Sequence, residues 1–403
     1  MLEAFISKVS TFIQLALCSI STFTCATAAE PPNRLNLNLP AGFEINIFAK
    51  LDSEPRMLAF DKTGNLFVSV SKNNQIIMLP DANRDGLAEA PVLVSNDLNA
   101  PNGLVFVGDD LLVANQDGVV KLTKKNGVWQ KPSPFIRNLP SGGHTLKTIK
   151  IGPDNFLYIN VGSSCNVCVE DDPMRATILR YTLEGKPAGG LEVVGRHTSL
   201  APIWASGLRN SQGFAWHPKT GSMFATNDGA DMRSDKVNGR VNDEIPPEHF
   251  NKIEPGKHYG WPYCWDGANN LKNMTQDPNF VGNENFCKTT TPPAITFTSH
   301  STPIGISFLD KTNFPAEYKN DAIVALHGSW NREQLSGYKL VRVKFNGEMP
   351  VEVVDFATGW LNNNEANNKQ AWGRPVDVIT GPDGALYVSD DRARYIYRIS
   401  YKK

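Results

Sequence analysis

The sequence predicts an all-β protein, a six-bladed β-propeller built as a single domain, and three observations carry that expectation. From Leu35 onward apolar residues alternate with polar ones, the period-two pattern of strands with one buried face, and helical periodicity is nearly absent. One phrase, an apolar strand, a polar turn and a second apolar strand, recurs six times. Its first three copies begin at Leu58, Leu104 and Ile149, spacings of 46 and 45 residues, the length of a four-stranded blade.

The first copy pairs Leu58–Phe60 with Leu66–Val68 across Asp61-Lys62-Thr63-Gly64-Asn65, a turn with hairpin chemistry. The second joins Leu104–Phe106 to Leu111–Val113 through Gly108-Asp109-Asp110. The third joins Ile149–Ile151 to Phe156–Ile159 through Gly152-Pro153-Asp154-Asn155. Phe214–Trp216 with Met223–Ala225 is the fourth, and a stretched fifth runs from Ile306–Phe308 to Ala322–Val324. The sixth sets Val376–Val378 against Leu386–Val388 across Gly381-Pro382-Asp383-Gly384. The wider gaps after the third copy place insertions between Asp228 and His300. Nothing divides residues 39–403 into two domains, and residues 29–38 read as a linker.

Residues 1–28 read as a secretory signal: Lys8, then a short apolar run from Thr11 to Phe23, then Ala26-Thr27-Ala28 with cleavage after Ala28. Lipidation at Cys25 is the alternative, but Thr22-Phe23-Thr24 is a poor lead-in to it. Glu30-Pro31-Pro32 breaks the chain at once, and no segment approaches the ~18 apolar residues of a transmembrane helix. An exported, periplasmic or secreted protein is expected. Cysteine usage agrees. Cleavage leaves Cys165, Cys168, Cys264 and Cys287, an even number suited to two disulfides; three pairings are open, with Cys165–Cys168 plus Cys264–Cys287 the first choice. Val169 stands where a c-type haem site needs histidine, and a four-thiolate zinc site needs a second CxxC.

The 40 Lys and Arg balance 41 Asp and Glu, so no basic field marks a nucleic-acid surface. No G-x-G-x-x-G follows a strand, and no serine sits in a G-x-S-x-G elbow. What remains is a set of polar residues in turns beside the repeated phrases, where a propeller's channel mouth gathers them. His144, after Gly142-Gly143, can accept a proton near neutral pH. Arg209-Asn210 offers a fork of donors for an oxyanion, carboxylate or quinone oxygen. Trp330 and Arg332 in His327-Gly328-Ser329-Trp330-Asn331-Arg332 form a stacking and anion-binding pair, and Arg374 precedes the sixth copy.

These stretches carry a resemblance. GGHTLKT, ASGLRNSQGFAWHP, HYGWPYCW, HGSWNR and GRPVDVITGPDGALYVSDD are similar to the quinone-dependent glucose/sorbosone dehydrogenase family, most to its sorbosone dehydrogenase branch, over about Leu39 to Tyr401. The resemblance implies a six-bladed propeller that binds pyrroloquinoline quinone with calcium over its channel and oxidises sugars or related aldehydes and alcohols. It implies His144 as general base toward the sugar's anomeric hydroxyl while hydride passes to the quinone. Arg209 serves catalysis and, with Asn210, Trp330, Arg332 and Arg374, the cofactor. It implies backbone carbonyls of Gly229 and Ala230 as calcium ligands, and an external quinone or cytochrome as electron acceptor. Two departures stand out. Val376 occupies the place of the second arginine of the final blade, and the family's lysine before that blade has no counterpart, Arg332 being the substitute.

Independently of the family, Asp81, Asn83, Asp85, Gly86 and Glu89 repeat the first half of an EF-hand loop, with Val92 at its twelfth position, and read as a calcium clip or a solvated acidic turn. Asn273-Met274-Thr275 fits a glycosylation sequon. A calcium-dependent propeller hydrolase of the lactonase type and a non-catalytic binding propeller are the competing readings.

Overall fold

The computed structural model describes residues 35–190, 202–266, 271–361 and 371–402. The expected signal sequence and the first part of the expected linker lie outside them. Six four-stranded antiparallel sheets make the propeller. Their innermost strands are Leu58–Phe60, Leu104–Val107, Ile149–Ile151, Phe214–Trp216, Pro303–Phe308 and Pro375–Thr380, and every one begins at or within three residues of a repeated phrase.

The ring closes through the chain's own beginning. Phe43–Lys50 is the outer strand of the sixth blade and pairs antiparallel with Tyr395–Tyr401. The four-stranded sheet is thus assembled from both ends of the domain, which removes an exposed edge that each end would otherwise leave. Phe43 seals the joint: its ring meets Phe314, Tyr318, Phe356 and Tyr401 edge-on, at centroid distances of 4.7 to 5.2 Å. Residues before the strand are also tied down. Leu35, Leu37 and Leu39 pack against the core of the fifth and sixth blades, and Asn38 pairs with Thr358.

Aromatic and aliphatic layers fill the wedges between blades. Phe224, Phe250 and Phe297 of the fourth blade, for example, pack with Phe308 and Val324 of the fifth. Near the axis the inner strands come so close that side chains are excluded at some points. A Cβ on Gly213 would overlap the Ile304 carbonyl, and one on Gly305 would lie 2.5 Å from the Asp377 Cα. Each of these glycines directly precedes the first apolar residue of its phrase. The axis itself is occupied by charge. Lys150, half-buried on the third blade, is held in electrostatic reach of Asp377 on the sixth, whose carboxylate accepts the Leu58 amide at 3.0 Å.

The insertions fall where the spacing placed them. Between Asp228 and His300 the chain adds the 229–247 loop, a small Cys264–Trp265/Thr275–Gln276 ribbon and the single-turn helix Glu284–Cys287. Both disulfides form: Cys165–Cys168 lies in a loop, and Cys264–Cys287 ties the ribbon to the single-turn helix. Among the described residues no helix is long and apolar enough to cross a membrane. Phe43→Ala removes the ring that plugs the closure and is expected to lower unfolding free energy by about 3 kcal/mol in urea melts, a Phe→Ala cost for a well-packed site. A change below about 0.5 kcal/mol, within the range of ordinary surface substitutions, would show that the strand pairing alone closes the ring.

Candidate active site

The turns that enter the inner strands meet at one end of the ring, and a chain of backbone hydrogen bonds ties them together. His144 N donates to Ser163 O at 2.9 Å, Ser163 N to Arg209 O at 2.8 Å, and Asp228 N to Asn210 O at 3.1 Å. His144 is thereby set beside Arg209 and Asn210 by main chain alone. The turn that carries it is anchored from below by Lys147, which is fully buried and donates through Nζ to the carbonyls of Gln116, Pro140 and Thr145 at 2.6, 2.7 and 3.1 Å.

The imidazole has a defined tautomer. Ser163 Oγ donates to Cys165 O at 2.7 Å, so it accepts from His144 Nδ1 at 2.9 Å. The proton therefore sits on Nδ1, and Nε2 keeps a lone pair. Burial, and next the Arg209 guanidinium, push His144 down to about 4, so the ring is neutral at neutral pH. That is the state a general base needs.

Arg209 is buried and held through two of its three nitrogens. Its Nε donates to Asn166 O at 3.1 Å, and one terminal nitrogen donates to Asn166 Oδ1 and Asp231 Oδ2, each at 2.9 Å. Asp231 also accepts from Asn331 Nδ2 at 2.8 Å and lies 3.7 Å from His300 Nδ1. Next to it Asn210 Nδ2 donates to Asp228 Oδ2 at 2.8 Å, while Asn210 Oδ1 and Asp228 Oδ1 are buried with no partner in the protein. Glu248, also buried, accepts the Gly229 amide. Burial pushes Asp228 up to about 7, and burial and then the Asp228 charge raise Glu248 well above the carboxylate range. Two buried carboxylates beside the Gly229 and Ala230 backbone form a donor set suited to a hard divalent cation.

A second basic group lies on the far side of the mouth. Arg374 donates to the carbonyls of His327 and Gly328 at 3.1 and 2.6 Å. His327 Nε2 meets both oxygens of Asp391 at 3.0 Å, and Asp391 accepts from Arg56 at 2.8 Å. Arg56 in turn donates to Gln212 Oε1 at 3.2 Å, a contact between the first and fourth blades, which are opposite in a ring of six. Arg56 and Arg209 both bear electrostatically on Asp228, so the two basic groups share one site.

Arg332 is placed differently from a free cofactor-facing cation. Its guanidinium donates to Asp243 O at 3.1 Å, Ser299 O at 3.2 Å and Glu244, which pins the 329–332 segment to the 243–244 loop. Trp330, between these anchors, is 67% exposed. The loop of Asp81, Asn83, Asp85 and Glu89 lies elsewhere, beside Arg398 of the sixth blade, and turns its oxygens on its own amides. Asp81 accepts from Gly86, Asn83 from Asp85, Asp85 from Leu87 and Glu89 from Ala82, at 2.8 to 3.2 Å. These bonds shape the turn, and Asp81 Oδ1 is buried with no partner in the protein.

The TrAA12-like family model matches residues 37–402. The chain belongs to the TrAA12-like family. An uncharacterised protein of Borreliella burgdorferi is 29% identical over 98% of both chains. A pyrroloquinoline quinone-dependent pyranose dehydrogenase of Coprinopsis cinerea is 25% identical over 94% of this chain, which spans 56% of that enzyme's length. The fold is shared with two solved structures. A Trichoderma reesei protein of carbohydrate-active enzyme family AA12 superposes with a TM-score of 0.76 at 19% identity, covering 91% of this chain and 97% of that one. The holo quinone domain of the Coprinopsis enzyme gives 0.76 at 22% identity, covering 93% and 99%.

Within this TrAA12-like site, sequence reasoning passed over Arg56, Asn166, Gln212, Asp231, Glu248 and Asp391. For Arg56 and Gln212 a signal was present. Each stands two residues before the first apolar residue of its phrase, as Arg374 and the buried Lys147 do. Asn166 and Asp231 lie in loops outside the repeat, where no periodicity marks them.

The Asp228–Glu248 pair yields a pH prediction. Both groups keep protons in the fold that the unfolded chain has released, so their contribution is full below the ordinary Asp value of 3.8 and is lost as pH rises through about 7. In chelator, the melting temperature of wild type relative to Asp228→Asn should fall between about pH 4 and pH 8. Parallel curves for the two proteins would mean that Asp228 is ionised at no cost.

Proposed function

We propose that this protein is an exported quinoprotein oxidoreductase that oxidises sugars, or related aldehydes and alcohols, with pyrroloquinoline quinone and calcium at the mouth described above. The observation that carries the reading is the juxtaposition of a neutral imidazole, with Nε2 unprotonated, and the Arg209–Asn210 pair above two buried carboxylates. Membership of a family with a named quinone-dependent pyranose dehydrogenase supports it.

The residues fit both groups. The quinone carries three carboxylates, and guanidinium groups are their best partners; Arg209 and Arg374 supply them from different blades. Asn210 Oδ1 and Asn331 Oδ1 are buried without partners in the protein. The exposed Trp330 indole offers a flat face for a planar ring. Asp228, Glu248 and the carbonyls of Gly229 and Ala230 would hold the calcium. Bound there, the quinone supplies the hydride acceptor. His144 Nε2 takes the proton of the hydroxyl being oxidised, and its Nδ1–H, fixed by Ser163, stabilises the imidazolium that results. Arg209 and Asn210 present fixed donors to negative charge developing at the mouth, where low dielectric strengthens them. Arg332 contributes by fixing the segment that bears Trp330 and Asn331. The N-terminal signal and both disulfides support an oxidising destination, and reoxidation then falls to an external quinone or cytochrome.

The test is reconstitution. Apo-protein titrated with quinone and calcium should reduce an artificial dye when given a donor from a panel of pyranoses and sorbosone. Lactone hydrolysis without quinone, or no quinone binding, overturns the reading. His144→Ala should retain quinone affinity and lose ~10²–10⁴-fold in kcat, the contribution of a positioned general base. Because the base must be unprotonated, kcat/KM of wild type should hold as pH falls through 6.5 and decline only near about 4.

A further inference from the structure

The loop between the third blade's second strand, Leu157–Val161, and Glu170 runs along the mouth without joining a sheet, and it is closed on itself by the Cys165–Cys168 disulfide. The bridge encloses Asn166 and Val167, and Asn166 makes the contacts. That residue's carbonyl accepts Arg209 Nε and Trp261 Nε1, each at 3.1 Å. Its Oδ1 accepts an Arg209 terminal nitrogen at 2.9 Å and the Asp231 amide at 2.8 Å, and its Nδ2 donates to Asp231 O at 2.9 Å. The first cysteine takes part as well: Cys165 O accepts the Ser163 hydroxyl that receives the His144 Nδ1 proton. Base and guanidinium are thus both oriented by a segment of a few residues with no ladder partners. Such a segment keeps one conformation only if its freedom is removed in another way, and a cross-link between positions 165 and 168 does that.

We propose that the Cys165–Cys168 bridge fixes Asn166 as the positioning residue of the site, and that opening the bridge releases Arg209 and the His144 ring together. The half-buried sulfurs are within reach of a small dithiol. The inference rests on the quinoprotein reading for its effect on turnover, but the positioning itself is independent of any cofactor.

The experiment uses the full mature chain without quinone and follows the His144 ring by nitrogen-15 NMR across pH. Four forms are compared with wild type: protein treated with dithiothreitol, Cys165→Ser/Cys168→Ser, Asn166→Ala with the bridge closed, and Cys264→Ser/Cys287→Ser as control. Dithiothreitol passes two electrons and two protons to the bridge, giving two protein thiols and its own cyclic disulfide; mass spectrometry after alkylation shows which bridge has opened. The charges that bear on His144 are Arg209, which holds its titration low, and Asp231, which opposes it. Freeing the guanidinium should move the His144 midpoint measurably up from about 4, with the part of the lowering that burial causes remaining, and mix its two tautomers in the first three forms. The control should titrate as wild type does. Quinone affinity should drop at least about tenfold in the same three forms, as expected when a fixed guanidinium becomes mobile. A His144 titration unchanged in folded protein with the bridge open, with only the melting temperature lowered, overturns the proposal and leaves the bridge a structural clip. If the serine variant does not fold, the reduced wild type carries the measurement. Were the titration to shift in a protein that binds no quinone, the positioning would stand and the quinoprotein reading would fall.

Discussion

A buried guanidinium that must not be neutralised by its own surroundings governs this site. Arg209 is almost wholly removed from water, and an uncompensated charge there would be prohibitive. Asp231 compensates it at 2.9 Å, and Asn166 saturates the remaining geometry with neutral oxygens. The result is a positive centre whose orientation is fixed while part of its field remains directed at its neighbours. His144 feels that field as a lowered proton affinity, and Asp228 feels it as a partial offset to its burial. Burial is the largest influence on both protonation states, and Arg209 adds to it at His144 and opposes it at Asp228.

The propeller makes this arrangement possible because each blade contributes a turn to the same mouth, whatever its distance in sequence. The Arg56–Gln212 contact joins positions 156 apart, and the Arg56–Asp391 pair spans 335. Ring closure by Phe43–Lys50 holds the sixth blade, and with it Arg374 and Asp391, in register with the first. The axis below is filled by Lys150 and Asp377 and by close backbone contacts at Gly213 and Gly305, so the mouth has a rigid floor.

Much of this was legible in the sequence, and the limits have physical causes. The six phrases marked the inner strands because a strand packed on one face must alternate, and the glycine-rich turns marked the hairpins. His144 and Arg209 precede their phrases by five residues, Asn210 by four and Arg374 by two, and the motifs around them mark them out. Arg56 has the same offset as Arg374 but stands in no such motif. Arg332 was read as a cofactor-facing cation because its motif places it after an inner strand. Its partners, Asp243, Glu244 and Ser299, come from insertions with no repeat to align them. The acidic loop at Asp81 reads as a cation clip or as a solvated turn because the same residues that ligate calcium also cap their own turn amides. Composition cannot separate those two uses.

The position of His144 beside a cation explains why a histidine suits this place better than a carboxylate. A carboxylate at that point would pair directly with Arg209 and compete with Asp231 for it. An imidazole held through Nδ1–H by Ser163 cannot form that ion pair while neutral, so the guanidinium stays aligned with Asn166 and Asp231. Burial and the neighbouring Arg209 both disfavour the protonated ring, so as the proposed base His144 readily gives up a proton it has taken. For a two-step oxidation in which the proton taken from the substrate must leave before the next turnover, that imbalance is useful. It keeps the ring unprotonated between cycles without requiring a second residue to reset it.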